Sequence, residues 1–265
     1  ERMSHRYLRL LKYEFKHITR DHMTVVFLVY PLLILMLGSY VLPLILEEFG
    51  GGQPGQYVAS LVVILILGSL APFIGGAMFG FLMLDHQDEN TLDSLRVTPM
   101  SLKGYLGFKA IYTYLLTVLS GVVVLYGVKV LSGDGYTVMG MNVLDGFTFT
   151  NVFLYAVVAG LLAPIFGFLL ASLGKNKIEG FAYMKTLGIF AILPAMLAWE
   201  VMQDARQYFL GFMPTFWPLK ALMMDAGLLE NDANFPFALY LIIGLLYGLG
   251  LLFFLSRLFY KKVQQ

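Results

Sequence analysis

Six long apolar stretches dominate this chain and restrict what it can fold into. Each is close in length to the roughly 20 helical residues that cross the hydrocarbon core of a bilayer. The chain of 265 residues is 58% hydrophobic and only 13% charged, whereas soluble domains have about 25% charged residues. The pattern predicts an all-α integral membrane protein. The predicted transmembrane helices are Met23–Leu46, Tyr57–Leu84, Leu102–Leu131, Val152–Leu173, Phe181–Trp199 and Phe235–Phe259.

Basic residues collect at one end of these predicted spans. Of the 18 Lys and Arg residues, only Lys129, Arg206 and Lys220 lie near the opposite end. Connections rich in Lys and Arg stay on the cytoplasmic side of a membrane. Both termini and the connection between the second and third spans are therefore predicted to be cytoplasmic. We expect two regions, a cytoplasmic amphipathic helix in residues 1–22 and a single six-helix transmembrane domain in residues 23–265.

The amino-terminal region has the pattern of an amphipathic helix. Apolar residues recur at helical spacing from Leu8 to Ile18, and basic residues follow another face. Such a helix lies flat in the membrane interface. Two interpretations stay open, a snorkelling anchor and a surface that also contacts a partner. The basic residues of this predicted interfacial helix are Arg9, Lys12, Lys16 and Arg20.

A short polar segment between the second and third spans, DENTLDSLRVTP, ends at Pro99 and has the pattern of a small capped helix. Asn90 is a favourable N-cap, Asp93 lies three residues later, and proline disfavours helical conformation in the residue before it. Leu92 and Leu95 lie three residues apart and form one apolar edge. Two interpretations stay open here as well, a docking surface for a soluble partner and an interfacial helix that buries its leucines in lipid.

The longest connection on the other side, from Trp199 to Asn234, is too apolar for an ordinary loop. Its segment Met213–Met224 reads MPTFWPLKALMM and is too short to span a bilayer. We expect a re-entrant helical pair between the fifth and sixth spans. The alternative is an aromatic belt around a poorly ordered loop. The residues that mark the predicted pair are Pro214, Phe216, Trp217 and Pro218.

The chain lacks the motifs of an enzyme and of an energy source. Its single Gly174-Lys175 pair is followed by Asn176, so it is not a phosphate-binding loop. Cysteine is absent, HExxH is absent, and no acidic residue lies at the middle of a span. Intramembrane acids normally mark proton or ion paths. These observations favour a transport subunit without a catalytic, cofactor or metal site. The alternative is an ion-gradient-driven carrier, or a membrane scaffold that binds a partner through its polar segment.

The polar segment, followed by Lys103, Tyr105 and Lys109, resembles the second cytoplasmic signature of ABC-2 type permeases. In that family this helix is the coupling helix, which docks into a groove on the ATPase subunit. The resemblance extends over the whole chain, and Leu210–Leu222 is similar to permeases of fluoroquinolone or other drug export. Asp93 departs from the commoner Glu but keeps the charge. The implied ATPase-coupling residues are Glu89, Thr91, Leu92, Asp93, Leu95, Arg96, Thr98 and Pro99.

The resemblance also implies an activity and a set of partners. It implies the membrane subunit of an ATP-driven exporter in a bacterial or archaeal plasma membrane, with an amphipathic or lipid-like substrate such as a drug, peptide or lipid. ATP and Mg would be bound by a cytoplasmic ABC ATPase present in two copies. A second permease chain, identical or a paralogue, would complete the path within the membrane lipid. Nucleic acid is not an expected partner.

Overall fold

Apolar helices make up most of the chain that the computed structural model describes, residues 22–50, 54–88, 102–202, 204–229 and 232–264. The α-helices are α1 His22–Met36, α2 Leu42–Gly50, α3 Pro54–Asp88, α4 Leu102–Leu131, α5 Phe149–Ala159, α6 Leu162–Leu173, α7 Lys177–Ile192, α8 Phe216–Asp225 and α9 Phe237–Gln264. A π-helical stretch, Leu37–Val41, joins α1 to α2. Three 3-10 helices separate α7 from α8, and they are Leu193–Ala198, Glu200–Met202 and Ala205–Phe212. Strands β1 Thr137–Val138 and β2 Met141–Asn142 pair antiparallel between α4 and α5.

Six helical segments are long and apolar enough to cross a membrane. In chain order, and numbered first to sixth below, they are Val29–Glu48, Gly55–Asp88, Gly104–Leu131, Phe149–Leu173, Lys177–Ala198 and Phe237–Val263. The prediction of an all-helical protein with six candidate spans is confirmed. The predicted interfacial helix and coupling helix lie outside the described residues, so they and the division between residues 1–22 and 23–265 stay predictions.

Proline explains why the fourth span is two helices instead of the single helix expected from the sequence. Pro164 has no N–H to donate to the carbonyl oxygen of Gly160 four residues earlier. The N–H of Ala163 donates to that carbonyl at 3.2 Å instead. The chain therefore makes a tighter turn, so that α5 ends at Ala159 and α6 begins at Leu162.

Tyrosine hydroxyls satisfy two carbonyls that other prolines leave without a helical partner. Pro72 cannot donate to the carbonyl of Gly68, which accepts a hydrogen bond from the Tyr155 hydroxyl at 2.6 Å. In the π-helical stretch each N–H donates to the carbonyl five residues earlier, as Leu42 does to Leu37. Pro43 has no N–H, so it cannot donate to the carbonyl of Gly38. The Tyr136 hydroxyl donates to the Gly38 carbonyl at 2.7 Å. Unpaired backbone groups are costly where water is absent, so these bonds stabilise the first and second spans next to their prolines.

We expect Tyr155→Phe to lower the free energy of unfolding by about 1–3 kcal/mol, because it leaves the buried Gly68 carbonyl without a donor while it keeps the ring. Thermal unfolding of the detergent-solubilised protein measures this effect. Tyr183→Phe removes a hydroxyl from an exposed tyrosine of the fifth span and serves as the control. Equal melting temperatures for the two variants would contradict the role assigned to the Tyr155 hydroxyl.

The second and fourth spans form the centre of the bundle, and small residues allow them to approach closely. A Cβ atom added at Gly76 would lie 2.9 Å from the carbonyl oxygen of Ala163, and one at Gly80 would lie 2.7 Å from Leu170 Cδ2. A Cβ at Gly167 would overlap the ring of Phe79. The glycines spaced four apart in the second span therefore pack within one copy of the chain.

Candidate functional site

One end of the bundle gathers the groups that flank the predicted coupling segment. The second span ends there at Asp88, and α4, the helix of the third span, begins there at Leu102. The fourth and fifth spans join there at Lys175, and α9, the helix of the sixth span, ends there at Gln264. We call it the basic end, and we call the opposite end, which carries the β hairpin, the hairpin end. The predicted coupling residues lie between Asp88 and Leu102, outside the described part of the chain. The predicted interfacial residues Arg9, Lys12, Lys16 and Arg20 also lie outside it.

The last turn of the second span is bound to the first turn of the fifth. Lys177 forms an ion pair with Asp85, and the Lys177 backbone N–H donates to Asp88 Oδ2 at 3.1 Å. Such N–H groups have no partner within their own helix, and acidic groups are favourable at a helix N-terminus. Asn176 caps the same helix by accepting from the N–H of Glu179 at 2.9 Å. The end of the second span, from which the polar segment continues, is therefore bound to the start of α7.

Three spans meet at the carbonyl oxygen of Ala171 in the last turn of α6. Lys262 of the sixth span donates its Nζ to this oxygen at 2.7 Å, and it also donates to the carbonyl of Gly174. Gln87 of the second span places its Nε2 at 3.5 Å from the same Ala171 oxygen. The last carbonyls of a helix lack internal partners, and a cation is favourable there. The carbonyl thus links the second, fourth and sixth spans.

The start of the third span is bound to the second through an aromatic pair. The Tyr105 hydroxyl lies 2.7 Å from His86 Nε2, and the Lys109 ammonium lies 5.8 Å from the centre of the Tyr105 ring. Tyr105 and Lys109 both belong to the signature that resembles ABC-2 permeases, and the structure places them in contact. Together with the bonds at Lys177 and Ala171, this pair connects the basic ends of the second to sixth spans.

The residues of the predicted re-entrant pair lie together at the hairpin end. Phe216 is buried, and Trp217 Nε1 donates to the carbonyl of Gly211 at 2.9 Å. Pro214 precedes α8 and Pro218 lies in its first turn. The preceding segment, Ala205–Phe212, is a 3-10 helix instead of an α-helix. The marker residues thus share one site, and the re-entrant path itself stays a prediction.

A buried lysine in α8 is a feature that the sequence reading did not single out. Lys220 is 1% exposed, and its Nζ donates to the carbonyl oxygen of Leu229 at 2.8 Å. Asn234 Nδ2 donates to the same oxygen at 3.1 Å. Burial lowers the pKa of Lys220 to about 8. The sequence does contain a signal for this burial. Lys220 is the only charged residue of the apolar run MPTFWPLKALMM and has apolar neighbours on both sides.

The low pKa of Lys220 predicts that stability rises with pH between about 8 and 10.5. The unfolded chain keeps the proton up to the ordinary pKa of 10.5, whereas the folded protein releases it from about 8. The unfolded state thus binds more protons in this window, which is the condition for stability to increase with pH. Each pH unit between the two pKa values is worth about 1.4 kcal/mol, so the total gain approaches about 3 kcal/mol.

Thermal unfolding of the wild type and of Lys220→Met from pH 7 to 10 measures this gain. The melting temperature of the wild type should rise relative to that of the variant, because methionine does not titrate. Lys185→Met removes an exposed lysine and should follow the wild type throughout. Parallel curves for the wild type and Lys220→Met would mean that the buried amine does not control stability.

No group of three or more His, Asp or Glu side chains within the described ranges could hold a metal ion.

A family model described as "Fluoroquinolones export permease protein Rv2686c-like" matches residues 14–256. Fluoroquinolones export permease protein Rv2686c of Mycobacterium tuberculosis strain H37Rv is 26% identical over 247 residues, which cover 92% of this chain and 89% of that protein. The same identity and coverage hold for Fluoroquinolones export permease protein MT2760 of strain CDC 1551. No solved structure matches the chain significantly.

Proposed function

The chain belongs to the Rv2686c-like family of fluoroquinolone export permeases, and from this membership we propose that it is the membrane subunit of an ATP-driven ABC-2 exporter of amphipathic drugs. The observation that carries the proposal is the family match over residues 14–256, which includes all six candidate spans up to the last two turns of the sixth. The resemblance to drug-export permeases is thereby confirmed. The energy source, the partners and the substrate are the parts that we propose.

Energy would come from a separate ATPase. The sequence holds no GxxxxGK[ST] loop, which is the motif that cradles nucleotide phosphates in such ATPases. ATP and Mg would therefore be bound by two copies of a cytoplasmic partner. Each ATPase copy would receive the segment between Glu89 and Pro99 of one permease chain. Two permease chains, identical or paralogous, would form the complete path.

The contacts of the basic end suit the transmission of a displacement. The polar segment leaves the second span at Asp88, which accepts a hydrogen bond from Lys177 at the start of the fifth span. The segment rejoins the bundle at the third span, where Tyr105 contacts His86. When the two ATPase copies close on ATP, movement of the segment would therefore reach the second, third and fifth spans together. In this proposal the basic end faces the cytoplasm, and the substrate leaves at the hairpin end.

The substrate class follows from the family and from the nature of the spans. The relatives carry the name of fluoroquinolone export permeases, and fluoroquinolones are planar, amphipathic molecules. The chain has 22 Phe and 16 Tyr residues and 14 Met residues. Aromatic and thioether side chains offer stacking and polarisable contacts to such rings. An amphipathic aromatic drug thus suits the side chains of these spans better than a small ion does.

The proposal is tested by transport in inside-out membrane vesicles that contain the chain and its ATPase. The ATPase is first identified by purifying the tagged chain under lipid-retaining conditions, where a soluble chain with a GxxxxGK[ST] loop should accompany it. Uptake of norfloxacin, followed by its fluorescence, should require ATP and should persist when an ionophore collapses the proton gradient. Uptake that needs the gradient and not ATP would instead identify an ion-driven carrier.

A further inference from the structure

A groove opens sideways between the third and sixth spans near the basic end. Its volume is about 870 Å³, within the range of roughly 300–1,000 Å³ that is usual for small-molecule sites. Phe168 of the fourth span lines it and is 3% exposed, whereas Ile111 and Phe253 on the neighbouring spans are 62% and 59% exposed. The groove therefore has a buried aromatic floor and open apolar walls.

Two cations line this groove, one helical turn apart on the sixth span. Arg257 and Lys261 lie four residues apart and so share a face of α9. They belong to the last two turns of α9, whereas Phe253 lies one turn farther from the basic end. Neither cation forms an ion pair with a carboxylate of the described residues. The guanidinium carbon of Arg257 lies over the Phe253 ring at 4.1 Å from its centre, and a guanidinium held on an aromatic ring can still donate its N–H groups to an anion.

A glycine gives the groove its width on the side of the third span. Gly107 lines the groove, and apart from its chain neighbours and the nearby backbone of its own helix, no described atom lies within 4 Å of the position that a Cβ atom would occupy there. Ala110 continues the same small surface one turn deeper. The space next to Gly107 is therefore open to a Cβ atom, and a larger side chain at this position would extend into the groove.

We propose that this groove binds one anionic phospholipid from the leaflet at the basic end. Its phosphate would lie against Arg257 and Lys261, and one acyl chain would run along Ile111 and Phe253. Cations near the basic end and apolar side chains farther from it reproduce the order of headgroup and acyl chain in a lipid within one leaflet. Basic pockets between transmembrane helices bind anionic headgroups in this way. A neutral lipid would gain the apolar contacts but less from the two cations.

Native mass spectrometry of the purified, delipidated full chain tests the proposal, with palmitoyl-oleoyl phosphatidylglycerol and the matching phosphatidylcholine as probes. We expect one phosphatidylglycerol per chain, bound about tenfold more tightly than phosphatidylcholine. Arg257→Gln and Lys261→Gln should each weaken phosphatidylglycerol binding roughly fivefold, and the double variant about 25-fold, as expected for one cation each near a charged headgroup. Gly107→Phe should prevent binding by filling the groove. Lys185→Gln, which neutralises an exposed lysine of the fifth span, should bind like the wild type.

Three results would overturn the assignment. Equal affinity for the two lipids would remove the role of the cations, and unchanged binding by the Arg257 and Lys261 variants would place the lipid elsewhere. Displacement of bound phosphatidylglycerol by norfloxacin at comparable affinity would assign the groove to a transported drug. Melting temperatures of all variants are measured in parallel, and if Gly107→Phe does not fold, the two charge variants decide the question alone.

Discussion

Leu92→Asp and Leu95→Asp are each expected to abolish drug export while the protein stays inserted in the membrane in normal amount. The two leucines form the apolar edge of the predicted coupling helix, which in the proposed function enters a groove on the ATPase. A carboxylate in an apolar groove loses its hydration without gaining a partner, at a cost of several kcal/mol. The bonds between Lys177 and the second span involve neither leucine, so the fold of the spans should be unchanged.

The measurements for these variants are ATP-dependent norfloxacin uptake, the amount of ATPase that co-purifies, and ATP hydrolysis by the complex. Ser94→Ala lies away from the leucine edge in a helical projection and serves as the matched control, with export expected at the wild-type level. Normal export by both aspartate variants would rule out docking through this helix. Loss of export with full co-purification of the ATPase would locate the defect in coupling instead of assembly.

Gly76→Val is expected to leave only a small fraction of the chain folded. A Cβ at this position would lie 2.6 Å from Phe166 Cβ and 2.9 Å from the carbonyl oxygen of Ala163. A backbone atom cannot rotate away, so valine must push the second and fourth spans apart. Overpacking a core costs about 1–3 kcal/mol when side chains can adjust, and we expect more where the obstacle is backbone.

Fluorescence-detected gel filtration of the solubilised protein and its melting temperature measure the effect of Gly76→Val. Gly250→Val is the matched control, because it makes the same change inside the sixth span at a position where, apart from its chain neighbours and the nearby backbone of its own helix, no described atom lies within 4 Å of the added Cβ. We expect that control to elute and melt like the wild type. A Gly76→Val protein that did the same would contradict the close packing of the two central spans.

The six spans could be predicted from the sequence because the length and polarity of an apolar stretch are local properties. The start of the fifth span is earlier than predicted, at Lys177 instead of Phe181, since Asn176 caps the helix with its side chain. The sequence also indicates that prolines disturb the spans. It does not tell which group satisfies the freed carbonyls, because Tyr155 bonds to Gly68 across 87 positions of the chain.

At the candidate site too, features of neighbouring residues could be predicted from the sequence, whereas contacts between distant residues could not. A polar segment with an N-cap, a leucine edge and a final proline could be recognised from neighbouring residues alone. The contacts at the end of the second span could not be predicted in this way. Lys177 and Asp85 are separated by 92 positions and meet only when the second and fifth spans pack. The contacts of Lys220 could not be predicted either, because nothing within its own helix reveals that Lys220 and Asn234 both donate to the carbonyl of Leu229.

The shared acceptor at Ala171 has a consequence for how such a protein can change shape. A hydrogen bond tolerates little stretching, so the second and sixth spans cannot slide along the fourth without first losing Gln87 or Lys262 from that oxygen. At this end the second, fourth and sixth spans of one chain should therefore move together as a single rigid body. In the proposed pair of permease chains, the opening and closing that transport requires would then take place mainly at the boundary between the two chains.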